Sequence, residues 1–125
     1  MTISIEEKKA NALMWIESLS LKGSAAYPQG KGRLGDMEKG MCCLGLMCFL
    51  SDKPYYPGVA FPRPYQNSVG LINYGGSAAD PSRWDNLSFL NDTGSTFRQI
   101  ANVLKRNPHQ YFVTEVADHI ELAYW

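Results

Sequence analysis

The sequence predicts a small α+β fold in a single domain, residues 1–125. Two stretches carry helical apolar periodicity behind N-capping residues, and a short apolar run with three cysteines lies between them. The connections are rich in Gly, Pro and Tyr, a composition suited to turns and a small antiparallel sheet. At 125 residues the chain is long enough for one modest core. Apolar residues make up 45% and charged residues 19%, which is globular composition.

The first helix starts at Ser4, with Glu7 three residues on in capping-box spacing. Leu13, Ile16 and Leu19 give the apolar stripe, Met14 and Trp15 widen it, and Gly23 is the expected stop. Trp15 reads as a core anchor. Residues 24–40 hold no sustained period and many glycines, so a loop with a short hairpin is expected. Met41 to Leu50 lacks β-branched residues and reads as a buried helix carrying Cys42, Cys43 and Cys48.

Residues 53–86 hold Pro54, Pro57, Pro62, Pro64 and Pro81, which argue against helix. Tyr55, Tyr56, Phe61, Tyr65, Tyr74 and Trp84 are interleaved with Gly and Asn. An irregular region is expected there, with a short strand at 69–74. A capped helix begins at Thr96, with Gln99 in the box position. Phe97, Ile100, Ala101 and Leu104 form its apolar face, and Pro108 ends it. Val113, Val116, Ala117 and Ile120 predict a terminal helix.

The formal net charge is zero, which argues against a nucleic-acid coat or a polybasic membrane binder, so no DNA, RNA or membrane partner is expected. All twelve Lys and Arg lie at or before Arg106. The last nineteen residues carry Glu115, Asp118 and Glu121 as their charges. His119 among them reads as part of a solvated acidic face. The opening residues do not resemble a signal peptide, and three crowded cysteines are not a disulfide framework. A reducing cytosol with free, buried thiols is expected.

Residues 27–35 hold the most suggestive chemistry. Gly30, Gly32 and Gly35 match G-x-G-x-x-G, but no hydrophobic strand precedes them, so a dinucleotide fold is not expected. Flexible amides beside Lys31 and Arg33 suit a phosphate. Adjacent Cys42 and Cys43 lack zinc-ligand spacing, with only His109 and His119 left to complete a site. Apolar neighbours would raise a thiol pKa and no base is placed beside one, so neither a metal, a cofactor nor a catalytic residue is expected. Asn91 and Asp92 fit turn and cap chemistry, or could read a base edge or a ribose hydroxyl.

Four motifs occur together and in order. They are Trp15-Ile-x-x-Leu19, Tyr27-x-Gln29-Gly-x-Gly32-x-Leu34, Cys42-Cys43-Leu44-Gly45-x-x-Cys48, and Leu90-Asn91-Asp92 followed by Phe97-x-x-Ile100-Ala101. This set resembles a family of small proteins encoded by tailed phages and prophages, over most of residues 13–104. The resemblance implies a phage accessory protein working in the host cytoplasm, where such proteins commonly blunt host defence. One class of these, the nucleotide sponges (anti-CBASS proteins included), binds cyclic-nucleotide signals without cleaving them.

On this basis the chain is expected to be a non-enzymatic sponge for a small nucleotide, assembled as a homo-oligomer. Its ligand-binding residues would be Tyr27, Gln29, Lys31, Arg33, Asn91 and Asp92. The alternatives are an inhibitor docking on a host defence protein through the aromatic, Pro-rich middle, and a small cysteine-dependent enzyme.

Overall fold

The computed structural model describes residues 3–51, 63–72 and 87–125. It is mostly helical, with one small antiparallel sheet. Helix α1 (Ile5–Leu19) is followed by a hairpin of β1 (Gly35–Asp36) and β2 (Gly40–Met41). Then come α2 (Cys43–Leu50), α3 (Arg63–Ser68), α4 (Leu87–Asp92), α5 (Phe97–Arg106), α6 (Pro108–Tyr111) and α7 (Thr114–Tyr124). The α+β expectation is met, with sheet content limited to this pair of two-residue strands among the described residues.

Helix α1 is the element the others gather on. It packs against α7, α5, α3 and α2. Ser4 caps it, its Oγ accepting from the Glu7 amide at 3.1 Å. The buried stripe is Ala12, Trp15, Ile16 and Leu19, while Leu13 is half-buried and Met14 is exposed. The face is therefore rotated from the expected Leu13–Ile16–Leu19 line, because Trp15 turns fully inward. Its indole N–H donates to the Cys43 carbonyl at 2.9 Å, and its ring meets Phe112 edge-on at 6.2 Å. A buried indole satisfied in this way contributes area without an orphan donor. Gly23 is not the stop. The helix ends at Ser20, whose Oγ donates to the Ile16 carbonyl at 2.8 Å, and Gly23 opens a 3-10 turn instead.

Thr96 and Gln99 form the complete reciprocal capping box, and Phe97, Ile100, Ala101 and Leu104 are the buried face of α5. Val116, Ala117 and Ile120 bury the inner face of α7. Pro64 departs from expectation, while Pro108 follows the end of α5 as expected and serves a second role. Pro64 lies in the first turn of α3, and Pro108 opens α6 one residue after α5 ends. A proline there lacks only an amide that the first turn leaves unpaired anyway, so it starts a helix as readily as it stops one. In the expected strand, Leu71 makes a single antiparallel bridge to Phe112. Tyr74 lies outside the described residues, as do Pro54, Pro57, Pro62, Pro81, Tyr55, Tyr56, Phe61 and Trp84.

The hairpin seats the glycine-rich segment on the core. Gly35 pairs with Met41 and Asp36 with Gly40, and Gln29 bridges Met41 in parallel. Gly40 has φ +93°, and a Cβ there would meet the Gln29 carbonyl carbon at 3.0 Å. Only glycine lets these two backbones run this close.

Candidate functional site

The glycine-rich segment is held by a buried amide reached from far along the chain. Asn91, at the end of α4, is fully buried. Its Oδ1 accepts from Gln29 Nε2 at 3.0 Å and from the Cys43 amide at 3.1 Å. Its Nδ2 donates to the Gly30 carbonyl at 2.8 Å. Gln29 Nε2 also donates to the Ser95 carbonyl at 2.8 Å, and Gln29 Oε1 accepts from the Phe97 amide at 3.0 Å. Asp92 Oδ1 accepts from the Gly32 amide at 2.9 Å. Both carboxamides are thus spent on the chain itself, and the hub locks the loop, α2 and the start of α5 together.

This geometry brings Gln29, Asn91 and Asp92 together with the loop. It also engages two loop amides. Gly30 donates to the Met41 carbonyl at 2.7 Å, and Gly32 is taken by the Asp92 carboxylate. Lys31 and Arg33 are exposed on the loop. Tyr27 is half-buried, its ring edge-on to Phe49 at 6.0 Å.

Beside Tyr27 the surface sinks into a groove of about 290 Å³. Its walls come from the end of α1, the turn after it, and the first turn of α5. Tyr27, Gln29, Lys22, Arg98, Thr96 and Phe97 line it. Lys22 and Arg98, both exposed, supply the positive charge. Thr96, Phe97 and Arg98 bring the positive end of the α5 dipole to the groove. Sequence reasoning missed these two cations because neither belongs to the glycine-rich motif. They share a wall because α1, which Lys22 follows, packs against α5. A larger concavity of about 920 Å³ lies between α1 and α3, among Asn11, Trp15, Met47 and Tyr65. It is bordered from both sides of positions 52–62, outside the described residues, and no function is assigned to it.

The cysteines are buried and unpaired. Cys42 caps α2, its Sγ accepting from the Gly45 amide at 3.3 Å. Burial pushes all three thiols up, Cys48 to about 12 and Cys43 well above its ordinary value. A raised pKa keeps each thiol protonated at neutral pH, opposite to the shift a nucleophile needs. We expect an aromatic disulfide reagent at pH 8 to leave the folded protein unlabelled and to titrate three thiols after denaturation. Rapid labelling of Cys43 in the folded state would contradict its burial.

Of the two histidines, His109 on α6 is the one that meets the acidic face of α7. Its Nε2 stands 3.1 Å from Asp118 Oδ1 and 3.1 Å from Glu121 Oε1. No family model matches the chain, and no curated protein or solved structure gives a match.

Proposed function

We propose that this protein binds and sequesters a small phosphorylated ligand without transforming it, with a cyclic nucleotide signal as the ligand and a phage-infected cell as the setting. One observation carries the reading. An aromatic ring, two cations and the start of a capped helix converge on one groove built against a rigid polar hub. Tyr27 would stack on a base, a contact worth on the order of 1–3 kcal/mol. Lys22 and Arg98 would neutralise phosphate, with Lys31 and Arg33 on the neighbouring loop. Gln29, Asn91 and Asp92 would act as positioning residues, since their polar atoms already hold the loop.

The groove's size bears on stoichiometry. Pockets for drug-sized ligands run from about 300 to 1,000 Å³. A groove of about 290 Å³ fits one nucleotide unit rather than two. A cyclic dinucleotide would be enclosed by apposing two copies of the groove, which is why a homo-oligomer belongs to the proposal.

The test is mass spectrometry of small molecules released on denaturation, followed by thermal shift with cyclic mono- and dinucleotides. A ligand near 100-fold above its Kd should raise Tm by on the order of 10 °C. Lys22→Ala with Arg98→Ala should weaken binding by about 10²–10⁴-fold, the loss of two charge-assisted contacts. The free protein should keep its Tm, because both side chains are exposed and a cation in the first turn of a helix opposes the dipole. Lys31→Ala with Arg33→Ala should weaken binding less. Full binding by the Lys22/Arg98 variant, or no nucleotide shifting Tm, overturns the proposal.

A further inference from the structure

The geometry points to a divalent metal site of the zinc class formed by His109, Asp118 and Glu121, apart from the groove and its ligand. Asp118 and Glu121 are three residues apart on α7 and so share one face. His109 reaches that face from α6, which packs directly on α7. Its Nε2 is 3.1 Å from an oxygen of each carboxylate, and the three candidate donor atoms all lie within 4.8 Å of one another. Metal–nitrogen and metal–oxygen bonds of about 2.0–2.2 Å at tetrahedral or octahedral angles set donors about 3.0–3.5 Å apart. Both measured nitrogen–oxygen separations fall in that range.

Charge adds an independent argument. Two carboxylates and one imidazole converge on one point, a negative cluster that suits a cation. Among the described residues, His109 is the only ion-pair partner of either carboxylate. The last nineteen residues contain no Lys or Arg. Lys105, the nearest basic residue but one in sequence, is engaged over the Tyr124 ring, 4.7 Å from its centroid. Two carboxylates offer a divalent cation charge balance, and the imidazole nitrogen adds a third donor. One imidazole with two carboxylates suits zinc, cobalt or nickel rather than calcium.

The scaffold is rigid enough to hold such a site. Pro108 and Tyr111 flank His109 in α6 and are buried, and Ala117 and Ile120 anchor α7 beside the two acids. Ligands on packed helices keep their spacing without the metal. Three protein donors leave at least one coordination position for water. A bound ion would add a cross-link between α6 and α7 to their existing packing.

The test uses the full-length protein stripped with chelator and titrated at pH 7.5 with Co2+ and then Zn2+, followed by calorimetry and visible spectroscopy. One equivalent should bind, with d–d bands and no thiolate charge-transfer band, and Zn2+ near 100-fold above its Kd should raise Tm by on the order of 10 °C. His109→Gln, Asp118→Asn and Glu121→Gln should each abolish uptake while folding normally, because all three side chains are exposed. His119→Gln should bind as the parent does. Absence of uptake, uptake unchanged in the three variants, or a thiolate band marking the cysteines as ligands would each overturn the inference.

Discussion

Asn91→Ala is expected to lower stability by about 3–5 kcal/mol, a fall in Tm on the order of 10–20 °C. The side chain is fully buried and every polar atom on it is used. Truncation leaves the Cys43 amide and the Gly30 carbonyl without their partner, and each buried orphan costs about 1–3 kcal/mol. A cavity at the junction of α2, α4 and the loop adds to this. Asn91→Asp sharpens the test, because it keeps the shape and replaces the donor with an oxygen facing the Gly30 carbonyl, next to Asp92. Burial and a like charge both raise the pKa of such a carboxyl above its unfolded value of about 3.9. The folded state then holds the proton more tightly than the unfolded state, so this variant should lose stability as pH rises above that value and regain it on acidification. Urea midpoints at pH 5 and pH 8 measure it. An Asn91→Ala protein melting within a degree or two of the parent would refute the hub.

Gly45→Ala is expected to be among the most damaging methyl additions to the described residues of the core. A Cβ at Gly45 would sit 1.8 Å from the Leu34 carbonyl oxygen and 2.6 Å from its carbonyl carbon. Both atoms are backbone, so no side-chain rotation relieves the clash. Helix α2 would have to withdraw from the loop, breaking the bond from the Cys42 amide to the Leu34 carbonyl, now 3.2 Å. The cost should exceed about 3 kcal/mol, beyond ordinary overpacking. Gly32→Ala is the contrast. Its Cβ would meet nothing within 4 Å, and only its φ of +79° opposes the change. That backbone strain is worth about 1 kcal/mol. Comparable urea midpoints for the two variants would show that α2 does not rest against Leu34.

The local grammar of the fold was legible in the residues. Ser4 and Thr96 start helices because a hydroxyl at that position satisfies an amide three residues on. The α5 stripe emerges unchanged because its spacing alone selects a face. The motif spanning Cys42–Cys48 reads as buried helix for lack of any polar or β-branched residue, and it is one. Errors arose where one residue type serves two ends. Pro64 sits inside a helix rather than breaking one, Pro108 ends α5 as expected but also starts α6, and Gly23 is not the stop because Ser20 has already closed α1.

Local residue patterns identified α1, α2, α5 and α7 as helices, where the capped ones begin, and the thiols as buried and free, but they did not reveal α3, α4 or α6. The roles of Gln29, Asn91 and His109 come from long-range packing. Gln29 and Asn91 are 62 residues apart and meet through side-chain atoms, and His109 meets Asp118 and Glu121 only because α6 turns back on α7. Periodicity and capping are set by neighbours within a few residues. A contact across sixty residues depends on how whole helices pack against α1, which no local pattern encodes. The same packing placed Lys22 and Arg98 on one groove wall, outside the glycine-rich motif.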